Sequence, residues 1–224
     1  MAKEDSSLVI AIDGPAGSGK STVSKGIAKA LSLLYIDTGA MYRALTLKAI
    51  DNGIDFKDKK ALIALSKNVS IKLEAGNSLK VYLDKKDVSE KIRTMEVTGK
   101  VKLVAPIKEI RENMVKFQRQ MGASSKGAVL EGRDIGTVVF PDAEYKFYLD
   151  ATFDVRVKRR FKELKDKGYP VSLKEVEEDV RTRDLSDMTR EIGPLKKAED
   201  AIVIDTTNMT IEEVIESVLD RVQK

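Results

Sequence analysis

The sequence predicts one α/β domain over residues 1–224, built on a parallel sheet, and three observations support this prediction. A short apolar run, Leu8 to Ile12, leads through a glycine-rich loop into an amphipathic helix, Ser21 to Leu34. A second strand, Leu34 to Ile36, is followed by a helix from Ala40 to Ile50. A final strand, Ala201 to Ile204, again precedes a helix. Such alternation is typical of parallel sheets covered by helices.

The middle of the chain departs from this alternation. Residues from Asn68 to Asp84 alternate between apolar and polar around Ala75-Gly76-Asn77, which predicts an inserted antiparallel hairpin. A helical pattern then extends from Thr98 to Met121, and Pro106 is expected to break it. The remaining predicted elements are the strands Ala128 to Leu130 and Lys146 to Leu149, a helix from Asp154 to Lys165, a turn at Gly168-Tyr169-Pro170, and helix caps at Ser172 with Glu175 and Thr210 with Glu213.

The composition excludes several kinds of catalytic site. The chain has no cysteine, which excludes disulfides and thiolate chemistry, and no histidine, which excludes imidazole bases and zinc ligands. Its 40 basic and 36 acidic residues give a net charge of +4, which suits phosphate-bearing ligands without requiring nucleic acid. No apolar run has the length of a membrane span or signal peptide, so we expect a cytoplasmic protein without a membrane partner.

The clearest motif is a phosphate-binding loop between the first strand and its helix. Gly14 to Ser21 match GxxxxGK[ST], in which glycines allow backbone amides to approach phosphate oxygens closely. Lys20 is expected to reach the β- and γ-phosphates, and the Ser21 hydroxyl to bind Mg²⁺. The loop predicts ATP binding but leaves the phosphate acceptor open. The predicted ATP contacts are Gly14, Pro15, Ala16, Gly17, Ser18, Gly19, Lys20, Ser21 and Thr22.

Two further segments place polar side chains where strands end, at the edge where α/β proteins bind ligands. The segment 37–43 reads Asp-Thr-Gly-Ala-Met-Tyr-Arg, and its Arg43 could bind an acceptor phosphate. The segment 128–134 runs from an apolar strand into Glu-Gly-Arg-Asp. Glu131 and Asp13 are competing candidates for an acid that supports Mg²⁺. Simple strand-end turns would explain both segments structurally.

A third feature is a pair of helices rich in arginine. Phosphoryl transfer needs cations on the transferred group and a site closed to water, which a mobile lid can provide. The alternative is a solvated helical hairpin with ion pairs such as Arg159 with Glu163. The basic and acidic positions are Arg156, Arg159, Arg160, Arg181, Arg183, Asp187 and Arg190.

Taken together, the segments AIDGPAGSGKST, YIDTGAMYR, LEGRDIGTVVFPDA, DVRVKRR and TRDLSDMTREIGPL resemble the bacterial cytidylate kinases. The resemblance implies a three-layer P-loop NTPase fold with a five-stranded parallel sheet in the order 2-3-1-4-5. It also implies a monophosphate-binding subdomain at 39–104, including the antiparallel insertion, and a helical lid at 156–187. The implied reaction is transfer of the γ-phosphate of ATP, with Mg²⁺, to CMP or dCMP. We expect a monomer.

The resemblance also assigns roles residue by residue. It implies that Arg43 and Arg133 hold the acceptor phosphate and that Arg111 and Asp134 read cytosine. It implies sugar contacts for Arg183 and Asp187. Catalytic cations are implied at Lys20, Arg159, Arg160 and Arg190, and the complete set of CMP contacts is Thr38, Gly39, Tyr42, Arg43, Lys102, Arg111, Gly132, Arg133, Asp134, Arg183 and Asp187.

Base recognition follows partly from chemistry alone. The Asp134 carboxylate can accept a hydrogen bond from the N4 amine of cytosine, whereas uracil has a carbonyl at that position. Lys102, a donor only, stands where the family usually has a serine. Other acceptors, such as UMP, AMP or shikimate, remain alternatives. A nucleotide switch or nucleic-acid-binding module is disfavoured, because the chain lacks an NKxD motif and only 5% of its residues are aromatic.

Overall fold

A computed structural model describes residues 8–74, 79–123 and 127–222. The strands are β1 (Leu8–Asp13), β2 (Leu34–Asp37), β3 (Ile71–Glu74), β4 (Lys80–Leu83), β5 (Lys86–Asp87), β6 (Gly127–Gly132), β7 (Tyr145–Asp150) and β8 (Ile202–Asp205). The helices are α1 (Lys20–Ala30), α2 (Thr38–Asp51), α3 (Lys59–Asn68), α4 (Met95–Val104), α5 (Lys108–Ala123), α6 (Phe153–Asp166), α7 (Leu173–Thr189) and α8 (Ile211–Val222). A 3₁₀ turn spans Lys91–Arg93 and a π-helical turn spans Ile135–Val139.

The central sheet has five parallel strands in the order β2-β6-β1-β7-β8. Numbered among themselves, these strands run 2-3-1-4-5, which confirms the predicted order. Every residue of β6 is buried, and the strand contacts α1 as well as α2 and α5. Both faces of the sheet are therefore covered, as expected for parallel strands.

The strand register brings the three polar segments to one edge of the sheet. Asp13 at the end of β1 pairs with Gly132, and Asp37 at the end of β2 pairs with Glu131. The glycine loop, the start of α2 and the segment after β6 all leave the sheet from this edge. Side chains far apart in sequence are thereby concentrated at the carboxyl ends of the strands.

The predicted antiparallel insertion is present and larger than expected. Strands β3 and β4 form the hairpin, and β5 pairs with β4 as a third strand. Asp84 and Lys85, with φ angles of 48° and 69°, turn the chain between β4 and β5. Apolar Val81 and Leu83 face the main core, so the insertion packs on the α/β body. The predicted turn at 75–77 lies outside the described residues.

Several helix predictions need correction. The first helix was predicted to reach Leu34 but ends at Ala30, because the chain turns through Ser32, whose φ is 55°. Helix α3 was not predicted at all. The break at Pro106 is confirmed, although α4 begins at Met95, earlier than expected. The Ser172–Glu175 capping box is confirmed at the start of α7.

Helices α6 and α7 form a hairpin with its own apolar cluster. Val157 and Leu164 of α6 pack against Val176 and Val180 of α7, apart from the main core. A hairpin that holds itself together can move as a unit, which is what a lid requires. In the part of the chain that the structure covers, no helix is long and apolar enough to cross a bilayer.

Candidate active site

The phosphate-binding loop joins the end of β1 to the start of α1, in the context that its motif requires. Gly14 and Gly17 have φ angles of 149° and 79°, which residues with a side chain rarely adopt. A Cβ on Gly14 would lie 2.0 Å from the Leu149 carbonyl oxygen, so only glycine lets the loop pass this close to β7. The N-terminus of α1 and the loop amides together make an anion-binding site.

Lys20 is buried within this loop. Its Nζ donates to the Pro15 carbonyl at 2.6 Å and to Ser18 Oγ at 3.3 Å. Burial, and then the nearby Arg133 guanidinium, lowers the pKa of Lys20 to about 7. Phosphate oxygens beside Nζ would favour the charged ammonium and raise that pKa again.

Ser21 and Glu131 form the part of the site that suits a metal. Ser21 Oγ donates to Glu131 Oε2 at 2.9 Å, and the Tyr35 hydroxyl donates to Glu131 Oε1. Burial, and then the Asp37 carboxylate, raises the pKa of Glu131. Within residues 8–74, 79–123 and 127–222, no three acidic side chains cluster to hold a metal. One hydroxyl and one carboxylate nevertheless fit Mg²⁺, which is bound largely through substrate phosphates and water in such sites.

Asp13, the other candidate acid, is already engaged by backbone amides. The Ile135 N–H donates to Asp13 Oδ1 at 2.9 Å, and the Gly136 N–H donates to Oδ2 at 2.8 Å. Burial raises the pKa of Asp13 to about 6. Asp13 thus anchors the π-helical turn that follows Asp134, and Glu131 is the acid that contacts Ser21.

The segment after β2 presents an arginine at the start of α2. Asp37 caps the first turn of α2 through Oδ1, and its Oδ2 pairs with Arg43 at 2.8 Å. Thr38 Oγ1 donates to the Glu131 carbonyl at 2.7 Å, which ties α2 to β6. A Cβ on Gly39 would lie 3.0 Å from the Arg43 guanidinium. Gly39 therefore leaves room for Arg43 beside the helix N-terminus.

Arg133 links the phosphate loop to the end of α7. Its Nε pairs with Asp187 Oδ2 at 2.7 Å, and its NH1 donates to the Gly132 carbonyl at 3.2 Å. Arg190 pairs with the other Asp187 oxygen at 3.2 Å. Gly132, next to Arg133, pairs with Asp13 directly before the loop, so Arg133 lies close to the loop. An arginine that follows β6 and one at the end of α7 are thus joined through Asp187.

A buried pair, Arg111 with Asp134, lies beyond these cations. Arg111 NH2 donates to Asp134 Oδ2, and its NH1 donates to the Ala105 carbonyl at 3.1 Å. The Arg111 guanidinium carbon lies 5.6 Å from the centre of the Tyr42 ring. Arg190 NH2 lies 3.6 Å from Asp134 Oδ1. A carboxylate held by two arginines next to an aromatic ring can accept hydrogen bonds from a flat polar ligand.

The arginines of α6 have protein partners in this structure. Arg159 NH1 donates to Thr206 Oγ1 at 2.9 Å, and its NH2 donates to the Thr206 carbonyl at 2.6 Å. Arg160 NH1 donates to Glu163 at 2.8 Å, while its buried Nε has no hydrogen-bond partner among the described residues. The ATP contacts predicted for both arginines stay predictions.

Two residues that were predicted to contact the acceptor, Arg183 and Lys102, lie at the margin of the charged side chains described above. Arg183 is 3.6 Å from Asp179, and burial lowers its pKa, with the nearby Arg160 and Arg133 adding to the effect. Lys102 is exposed on α4. The ion-pair partner of Arg183 is thus a carboxylate of its own helix, whereas Lys102 extends into solvent.

Sequence reasoning missed three side chains that contact the site. Tyr35 holds Glu131, Asp184 accepts from the Ala16 N–H at 3.3 Å, and Thr206 donates to the Ser18 carbonyl at 3.1 Å. Asp184 directly follows Arg183 within a segment already singled out, and Thr206 follows β8 at the ligand-binding edge. These positions in the chain were the sequence signals that could have identified Asp184 and Thr206.

Comparisons with known proteins agree with this geometry. A family model described as cytidylate kinase matches residues 10–224. A cytidylate kinase of Clostridioides difficile is 52% identical over 96% of this chain and 98% of its own length. One of Caldicellulosiruptor saccharolyticus is 52% identical over 94% of this chain and 93% of its own length.

Among solved structures, an uncharacterized protein of Eubacterium ventriosum superimposes with a TM-score of 0.54 at 13% identity. The superposition covers 97% of this chain and 99% of that one, which shows a shared fold alone. The family match and the two relatives extend over nearly the whole chain and include the phosphate loop, the acceptor segments and both arginine-bearing helices. The chain belongs to the cytidylate kinase family.

Proposed function

We propose that this protein transfers the γ-phosphate of ATP to CMP or dCMP, forming ADP and CDP or dCDP. The observation that carries the proposal is the position of Arg133. It directly follows Gly132, which pairs with Asp13 just before the phosphate loop, and it pairs with Asp187, which Arg190 connects to the buried Arg111–Asp134 pair. A triphosphate site and a site for a polar base are thereby joined by cations, as transfer between two phosphates requires.

On the donor side, the loop from Gly14 to Thr22 binds the β- and γ-phosphates through its amides and Lys20. Ser21, with Glu131 beside it, would hold Mg²⁺. The metal, when bound with ATP, offsets the charge that develops on the phosphate oxygens. Tyr35 and Ser21 together keep the Glu131 carboxylate at this position.

On the acceptor side, Arg43 and Arg133 bind the monophosphate. Both already pair with carboxylates, which orients their guanidinium groups before substrate arrives. Asp134, oriented by Arg111, accepts from the N4 amine of cytosine. The other proposed contacts are Thr38, Gly39 and Gly132 near the phosphate, Tyr42 near the base, and Arg183 and Asp187 at the sugar. Lys102, exposed here, would reach the base only when the subdomain at 39–104 closes.

The chemistry needs no general base. A phosphomonoester with a second pKa near ~6 is already largely dianionic at pH 7. Its oxygen attacks the γ-phosphorus in line, and the bond to the ADP oxygen breaks. Lys20, Arg159, Arg160 and Arg190 offset the repulsion between the two anions. The absence of histidine is therefore compatible with efficient transfer.

We further propose that two parts move around the sheet. The helical lid at 156–187 closes over ATP and excludes water, and the subdomain at 39–104 closes over the monophosphate. We expect the protein to act as a cytoplasmic monomer. The closure of the lid and the closure of the subdomain both serve to prevent hydrolysis of ATP before the acceptor is in place.

The test is a coupled ADP-release assay with CMP, dCMP, UMP and AMP as acceptors. We expect turnover with CMP and dCMP, much weaker turnover with UMP or AMP, and no turnover in Lys20→Ala. Comparable turnover with UMP would refute cytosine selectivity. ADP release that does not depend on any acceptor would refute the kinase assignment.

A further inference from the structure

The phosphate loop is held from outside by side chains that do not belong to its motif. Lys20, within the motif, donates to the Pro15 carbonyl at 2.6 Å. Two other loop carbonyls have partners from distant segments. Arg156 NH1 of α6 donates to the Ala16 carbonyl at 3.0 Å, and Thr206 Oγ1, after β8, lies 3.1 Å from the Ser18 carbonyl.

These contacts determine where the loop amides point. Every peptide bond here is trans, so each carbonyl points opposite to the N–H of the next residue. The Pro15 carbonyl faces Lys20, and the Ala16 N–H accordingly points away from it, to Asp184 at 3.3 Å. The next carbonyl, of Ala16, faces outward to Arg156. The Gly17 N–H is therefore turned towards the phosphate side.

The carbonyl two residues later, of Ser18, is held in the same way. Because Thr206 holds the Ser18 carbonyl on the outer side, the N–H of Gly19 is directed inward. Gly19 directly precedes Lys20 at the start of α1. The amides of Gly17 and Gly19 are therefore available as donors to a triphosphate bound in this loop.

The outer contacts are buried and connected to one another. Arg156 and Asp184 are 6% and 7% exposed and form an ion pair at 2.5 Å, with Arg156 Nε also donating to the Ala151 carbonyl at 3.1 Å. A Cβ on Gly17 would lie 2.7 Å from the Arg156 carbonyl, so the loop packs directly on α6. Buried, fully bonded groups of this kind hold one geometry.

Thr206 is equally constrained. It is 2% exposed, and Arg159 donates to both its hydroxyl and its carbonyl. The hydroxyl proton is shared between the carbonyls of Ser18 and Asp150, at 3.1 and 3.0 Å. Arg159 therefore sets the orientation of the hydroxyl that supports the loop.

We propose that Arg156, Asp184 and Thr206 are positioning residues that turn the Gly17 and Gly19 amides towards the triphosphate. They act through the loop backbone and do not touch the substrate's reacting atoms. The inference rests on the proposed function only in taking ATP as the loop's ligand. Through the contacts of Arg156 and Asp184 with the loop, the α6–α7 hairpin thereby supports ATP binding in addition to any closing movement.

The test compares Thr206→Val with its neighbour Thr207→Val. Valine keeps the shape of threonine but cannot bond the Ser18 carbonyl, while Thr207 is half-buried and its hydroxyl bonds Asp205 and the Thr152 N–H rather than the loop. In Thr206→Val we expect the KM for ATP to rise about tenfold, with the KM for CMP changed less than about twofold. Thr206→Ser, which keeps the hydroxyl, should restore ATP binding, and Thr207→Val should behave as the wild type.

A second readout does not require turnover. ADP should raise the melting temperature of Thr206→Val less than that of the wild type, whereas CMP should raise both equally. If Thr206→Val does not fold, Asp184→Asn supplies the same test, because the amide still accepts from the Ala16 N–H but loses its ion pair with Arg156. Undiminished ADP binding in these variants would overturn the proposal, as would equal losses for ADP and CMP. Since ADP binding is measured alone, failure of CMP turnover would refute the proposed function without deciding this test.

Discussion

Replacing Lys20 by methionine should change how the stability of the ligand-free protein depends on pH. The lysine is 5% exposed, and its pKa falls from 10.5 to about 7, mainly through burial. Between these values the unfolded chain binds a proton that the folded protein has released. Stability therefore rises with pH across this window, and the cost of burying the charge is present in full below pH 7.

The magnitude follows from the size of the shift. A shift of about 3.5 units corresponds to roughly 5 kcal/mol at most, at about 1.4 kcal/mol per unit. Between pH 7 and pH 9 the wild type should gain about 2 kcal/mol in free energy of unfolding relative to Lys20→Met. The comparison between proteins removes the contribution of other titrating groups that both share.

The assay is urea unfolding followed by circular dichroism at pH 7, 8 and 9. Lys29→Met is the matched control, because Lys29 is exposed on the same helix. We expect its unfolding free energy to change with pH in parallel with the wild type. Parallel curves for wild type and Lys20→Met would contradict the lowered pKa, since they would show that Lys20 stays fully charged in the folded protein across this pH range.

Three further predictions follow from the same geometry. When ATP binds at pH 8, Lys20 should take up close to one proton, which calorimetry detects because the measured binding enthalpy then depends on the ionisation enthalpy of the buffer. No proton uptake, or equal uptake in Lys20→Met, would contradict this prediction. Tyr35→Phe removes the donor that holds Glu131 and should raise the Mg²⁺ concentration that supports ATP binding about threefold, whereas Tyr145→Phe, remote from the site, should not. Asp134→Asn should lower the ratio of kcat/KM for CMP over UMP by at least about tenfold, and an unchanged ratio would remove Asp134 from base recognition.

The sheet and the phosphate loop were predictable because their signals are local. A strand, a glycine loop with fixed spacing and an amphipathic helix occupy 23 consecutive residues, Leu8 to Ala30. The carboxyl ends of parallel strands then had to bring Asp37 and Glu131 to the same edge. Helix α3 escaped prediction although Asp58 caps its first turn, because its apolar residues, Ala61 to Leu65, form a continuous run that shows no helical period.

The partners of individual side chains could not be predicted in the same way. The family resemblance implies an ATP contact for Arg159, which stays a prediction, whereas its partner in this structure, Thr206, lies 47 residues later and could not be inferred. Likewise, the pattern that makes Asp13 a candidate metal-supporting acid gave no sign that two amides beyond Asp134 donate to its oxygens. Such pairings depend on the packing of segments distant in sequence, which residue patterns do not encode.

The most direct test of the central claim follows the phosphate itself. The enzyme is incubated with Mg²⁺, CMP and ATP labelled at the γ-phosphate, and the products are separated and degraded to locate the label. Transfer to CMP predicts label in CDP, confined to its β-phosphate, with unlabelled ADP formed in equal amount. Label in inorganic phosphate regardless of CMP, or in a product other than CDP, would contradict the account.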